Sequence, residues 1–200
     1  DLLNPRDDVW CIYAGRYSGW LEPRFGFRSG NFGPELKFGH MIGDHLDNEV
    51  VIIKSAIGGT RLHSDWRPPS AVAQRGGQVG PLYLDMIRRV HNLLKDPKAF
   101  YPDYEGQGFE LAGLLWLQGE TDACDPVEGL EYEANLIDFI ADFRSDLGVD
   151  DLPIIIAQIN DSDCWDDGDK QGPYIRATQK KVAESDPYAA WFITSDLDPG

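Results

Sequence analysis

Basic residues are scarce. Eighteen lysines and arginines stand against 34 aspartates and glutamates, a formal charge of −16 over 200 residues. A surface that negative repels phosphate backbones and anionic headgroups, which argues against nucleic-acid and membrane-surface roles. Cysteine is scarcer still. Cys11, Cys124 and Cys164 show no CxxC spacing and cannot all pair, so at most one disulfide forms. Neither a zinc ribbon nor a disulfide scaffold fits. No run of about 18 apolar residues suggests a membrane span, and no basic-then-apolar leader opens the chain. His40, His45, His63 and His91 form no HExxH or other metal spacing. No GxSxG elbow and no GxxxxGK[ST] phosphate cradle occurs, so no metal or cofactor is expected.

What is present is a core. Hydrophobic residues make up 42% of the chain and include six tryptophans, which marks a globular protein. The length suits one α/β domain, expected over residues 1–200. Apolar, β-branched runs predict strands at 8–14, 49–56, 111–118, 152–159 and 189–196. The middle three are continuous rather than alternating, as in parallel strands covered on both faces. Three- and four-residue steps predict helices at 79–94, 130–147 and 174–185, and a glycine-weakened one at 35–46. Strands alternating with helices imply βαβ crossovers and a doubly wound parallel sheet.

In such sheets ligands bind beyond the carboxyl ends of the strands. Three segments emerge there: KSAIGGTRLHSDW, QGETDACD and NDSDCWDDGDKQG. Gly58 and Gly59 either present backbone N–H groups to an oxyanion or simply turn the chain. Gln118 and Glu120 close an apolar strand with polar groups, which calls for a partner. They either cap the next helix or act as an oxyanion donor and an acid that orients a histidine. Thr60, His63 and Asp122 share this rim with Trp66 and Trp165, whose indoles suit stacking on sugars or packing over their own loops. The acidic loop 160–172 fails the EF-hand register, because Trp165 occupies a position that needs an oxygen ligand. Ser55 leaves a strand without an elbow to present its hydroxyl, which argues against a nucleophile there.

Six segments, FGPELKFGHMIGD, IIKSAIGGTRLHSDW, WLQGETDA, NLIDFIADFR, LPIIIAQIN and IRATQKKVA, occur in an order and spacing that extend over most of the chain, from Phe32 to Ala183. Together they resemble the SGNH-hydrolase superfamily, and within it the sialate O-acetylesterase and acetylxylan-esterase group, carbohydrate esterase family six. The resemblance implies a flavodoxin-like, three-layer α/β/α sandwich with a central parallel sheet. It also implies a metal-independent serine esterase that removes O-acetyl groups from sugars such as xylan or sialic acid. Gly59 and Gln118 then match oxyanion-hole donors, and Glu120 matches the acidic partner of the catalytic histidine. Gly58, Thr60, His63, Trp66, Asp122 and Trp165 are the candidate substrate contacts. The family's serine lies in a GQSN-type motif and its histidine in a DxxH motif, and neither occurs here. Residue 117 is leucine where many relatives carry histidine. The expectation is therefore a fragment of a longer enzyme acting on acetylated carbohydrate. The alternative is a degenerate, non-catalytic glycan-binding relative. Glycan substrates favour secreted or periplasmic use.

Overall fold

Alternate residues of VWCIY face opposite ways, and Val9, Cys11 and Tyr13 are buried while Trp10 and Ile12 are half-buried. This strand, β1 (Val9–Tyr13), pairs antiparallel with β2 (Tyr17–Trp20) and parallel with β3 (Val50–Lys54). The computed structural model describes residues 2–13, 15–28, 30–160 and 171–194. Its chain forms two units, residues 1–57 with 89–107 and residues 58–88 with 108–200.

In the first unit the sheet order is β2-β1-β3. Helix α1 (Pro34–His45) starts on a proline, whose fixed φ suits the first helical turn, and buries Leu36, Gly39, His40 and Gly43 at three- and four-residue steps. Its Glu35 accepts a hydrogen bond from Gly33 N (2.8 Å) and pairs with Lys54 Nζ (2.7 Å) at the end of β3. The core of this unit is Val9, Cys11, Tyr13, Leu21, Phe25 and Leu36. Cys11 is free, and burial pushes its thiol up to about 12.

The second unit opens with α2 (Pro69–Arg75) and the first half of α3 (Pro81–Lys95). Strand β4 (Leu114–Trp116) leads through the single turn α4 (Glu120–Ala123) into α5 (Pro126–Leu147). Then come β5 (Ile154–Ala157), α6 (Gly172–Ser185) and β6 (Ala189–Phe192). The order β4-β5-β6 is parallel throughout. Helix α5 is delimited by its sequence. Asp125 caps its start, accepting from Val127 N and Glu128 N, and Gly148 ends it in the left-handed region. Its buried face, Tyr132, Leu136, Phe139 and Phe143, packs into a core with Trp66, Tyr83, Trp116, Ile154 and Ile156. Trp116 and Phe139 lie 4.3 Å apart between ring centroids. Each such side chain contributes about 1.5–3 kcal/mol by leaving water.

The parallel strands and four long helices fall where the sequence places them. Strand β2 and the short helices α2 and α4 are additions. Strand β4 is shorter than its apolar run, because its pairing begins where β5 begins, at Leu114 opposite Ile154. No described helix is long and apolar enough to cross a membrane.

Candidate functional site

The tip of β4 explains its own polar ending. Asp122 is fully buried, and its carboxylate accepts from Leu62 N (2.9 Å), His63 N (3.0 Å) and Gln118 Nε2 (2.6 Å). Burial pushes its pKa up, and the hydrogen bonds from Gln118, His63 and Leu62 oppose that rise. Gln118, itself buried, also donates from Nε2 to Thr60 O (2.9 Å). One carboxylate and one amide thus hold residues 60–63 against the end of β4.

The backbone of the QGE turn is equally constrained. Gly119 has φ +145°, and an added Cβ would meet Ile175 at 3.0 Å, Ile159 at 3.2 Å and Gln179 Nε2 at 3.3 Å. Only glycine suits both the dihedral and the space. Beside it, Gln118 O accepts from Tyr132 Oη (2.7 Å) and Gln179 Nε2 (2.9 Å), while Gln179 Oε1 accepts from Ile159 N (3.0 Å). Tyr132 and Gln179, on α5 and α6, are therefore part of the site's support. Tyr132 stood out in the sequence only as an aromatic on a helical face, and Gln179 only as a polar residue inside IRATQKKVA.

Gly58 and Gly59 are exposed, and no atom lies within 4 Å of a Cβ built on either. Gly59 has φ +73°, the left-handed conformation a tight turn uses. The next residue, Thr60, takes the Gln118 bond on its carbonyl and accepts from Trp66 Nε1 (2.9 Å) on Oγ1. The structure therefore brings Gly59, Thr60, Gln118 and Asp122 together. Both hydrogens of the Gln118 amide are engaged, so service to a third acceptor means exchanging or sharing one of those bonds.

Other candidates lie elsewhere than the sequence suggests. Trp66 packs edge-on to Trp116 at 5.7 Å and is only 4% exposed, and that burial leaves no ring face for a sugar. Its indole N–H found a partner in Thr60, so the ring joined the core. Glu120 is exposed, and Asp122 is the desolvated carboxylate instead. On a helical turn, residues two apart point in nearly opposite directions, so Glu120 faces out as Asp122 faces in. Asp122 is thus a loop anchor with all contacts to protein. Trp165 and most of the acidic loop lie outside the described residues.

His63 sits between charges, with Nδ1 3.2 Å from Glu131 Oε2 and 3.4 Å from Arg67 Nη1. Arg67 is paired with Glu131 at 3.4 Å, and Arg61 with Glu128 at 2.7 Å. Among the described residues, no cluster of His, Cys, Asp and Glu is arranged to hold a metal. The arrangement offers backbone N–H groups at a glycine turn, an amide, and an outward carboxylate at one strand tip.

Comparison with known proteins identifies the family. A solved Arabidopsis thaliana protein, AT4G34215, superposes with a TM-score of 0.70 at 21% identity, over 96% of this chain and 70% of that one. A carbohydrate acetylesterase from Xanthomonas citri, XAC1771, superposes at 0.69 and 15% identity, over 98% of this chain and 45% of that one. The fold is thus a mixed α/β fold built on parallel strands, shared with these two proteins. In sequence, 126 residues are 29% identical to the probable carbohydrate esterase At4g34215 of Arabidopsis thaliana. That match covers 62% of this chain and 40% of the curated relative's length. Residues 22–197 match the model for "Carbohydrate esterase, sialic acid-specific acetylesterase", and the chain belongs to that family.

Proposed function

We propose that the intact protein is a serine carbohydrate O-acetylesterase that releases acetate from neutral acetylated sugars. The observation that carries this reading is the cluster at the tip of β4, where Gln118 and Asp122 hold the Gly58–His63 turn with its glycines uncovered. In this reading the Gly59 N–H and the Gln118 amide serve the tetrahedral oxyanion. Glu120 orients the catalytic histidine, and His63 and Thr60 contact the sugar. The serine and histidine come from GQSN-type and DxxH segments that these 200 residues do not contain.

Charge favours a neutral sugar over sialic acid. Arg61 and Arg67 are each committed to a glutamate, while Glu120 adds an exposed acid. A sialic-acid carboxylate would meet acids first and find its guanidinium partners taken. Cys124 is disulfide-bonded, which supports use in an oxidising, extracytoplasmic compartment.

The test is acetate release by the intact protein from acetylated xylan and from O-acetylated sialic acid, with a serine-reactive phosphonate and a chelator as controls. The expected result is faster release from xylan, abolished by phosphonate and indifferent to chelator. No acetate from either substrate, with glycan binding retained, replaces the esterase by a non-catalytic binding relative. Chelator-sensitive release replaces it by a metal-dependent hydrolase.

A further inference from the structure

Within the first unit, the register of β1 and β2 sets Trp10 directly opposite Trp20. Directly opposite residues in an antiparallel pair point to the same face. Since Val9, Cys11 and Tyr13 take the core face, both indoles stand on the other. They meet edge to face, with centroids 5.2 Å apart at 87°, and both rings remain half-buried. Trp10 is pinned by a hydrogen bond from Nε1 to Phe100 O (2.9 Å), and Tyr101 backs both rings at 5.5 and 5.9 Å. Trp10 is thus held by protein contacts alone.

These indoles line an open groove of about 500 Å³, walled by Pro5 and Pro102. Its polar edge consists of Glu22, Arg24 and Asp103. Arg24 is fixed by Glu22 at 2.8 Å and lies over the rings of Tyr17 and Phe25 at 5.8 and 5.5 Å. An apolar platform bordered by carboxylate acceptors and guanidinium donors complements a pyranose, which has an apolar C–H face and a belt of hydroxyls. The volume exceeds what a single sugar ring needs and falls within the range of small-molecule sites. Two acids stand against one already paired base, so an anionic ligand is disfavoured.

We propose that this groove is a binding site for a neutral oligosaccharide, with one pyranose stacked on the Trp20 indole beside Trp10 and its hydroxyls bonded to Glu22, Arg24 and Asp103. The site needs no residue of the Gly59–Gln118 cluster. A carbohydrate esterase gains from it a hold on polymeric substrate that does not depend on where the acetyl groups lie.

Calorimetric titration of the intact protein with xylotetraose, which carries no acetyl group, tests the assignment, with a sialylated oligosaccharide as the charged comparator. Xylotetraose should bind and the charged sugar should not. Trp20→Ala should weaken xylotetraose binding by about tenfold, the upper range for one aromatic platform. Asp103→Ala, at an exposed position that leaves the fold intact, should weaken it about threefold. Hydrolysis of a small acetate ester should be unchanged in both. Wild-type affinity in either folded variant overturns the proposal. So does equal loss of small-ester hydrolysis, which would make Trp20 a structural residue. A protein that binds xylotetraose through Trp20 yet releases no acetate refutes the esterase reading and upholds the groove.

Discussion

Removing the Asp122 carboxylate is the most direct challenge to the account of the β4 tip. Asp122→Ala strips the partner from three donors at once: the backbone N–H groups of Leu62 and His63 and the side-chain amide of Gln118. All three bonds are charge-assisted, and Leu62 and Gln118 are buried residues. Leaving a buried donor unpaired costs about 1–3 kcal/mol. The burial that raises the Asp122 pKa shows that its charge is desolvated, and relief of that penalty offsets part of the loss. A net destabilisation of roughly 3–5 kcal/mol is expected, a large share of the 5–15 kcal/mol typical of a domain. Asp122→Asn keeps the shape and one acceptor oxygen, so it should cost about half as much. Urea unfolding of the two variants beside wild type reads both numbers. An Asp122→Ala loss below about 1 kcal/mol would show that the loop is held by something else.

Three further outcomes follow from neighbouring geometry. Gly119→Ala should lower stability by about 2 kcal/mol or more, because φ +145° and the contacts with Ile175 and Ile159 both oppose a Cβ; an unchanged melting temperature refutes that. Glu120→Gln should cut acetate release by about two orders of magnitude while barely moving the melting temperature, since Glu120 is exposed; the reverse pattern makes it a structural anchor. Asp125 is held below its ordinary value by the backbone N–H groups of Glu128 and Val127. Its contribution is therefore present above the unfolded pKa of about 3.9 and lost as pH falls through the lower folded value. The melting-temperature gap between wild type and Asp125→Ala should shrink from about pH 6 to about pH 2, and a constant gap would show that charge plays no part in the cap.

Much of this architecture is legible in the sequence because burial imposes period. Ile154 and Ile156 had to be apolar to sit under α5 and α6, and Leu136, Phe139 and Phe143 had to recur at helical steps to cover them. Four residues such as YSGW carry no such period, so β2 becomes visible only through its pairing with β1. The rim was readable in kind but not in orientation. QGE and GGT announce polar groups and bare backbone at strand ends. Which acid turns inward depends on the single turn α4, and that turn depends on Gly119 fitting beside Ile175 and Gln179, more than fifty residues away in sequence. Trp66 shows the same limit. A tryptophan between charged and polar neighbours reads as exposed until Thr60 offers its hydroxyl and Trp116 its edge.

The two edge-to-face indole pairs also have an optical consequence. Trp10 with Trp20 and Trp66 with Trp116 account for four of the six tryptophans, one pair in each unit. Rings locked in asymmetric surroundings give strong near-ultraviolet circular dichroism, which vanishes when packing loosens even if helices persist. Each unit thus carries an intrinsic chromophore, and Trp20→Phe or Trp66→Phe silences one indole pair while leaving the other. Melting the two single-pair variants turns spectra into a question of cooperativity. Coincident transitions mean one folding domain, and separated ones mean that each half of the chain keeps its own melting point.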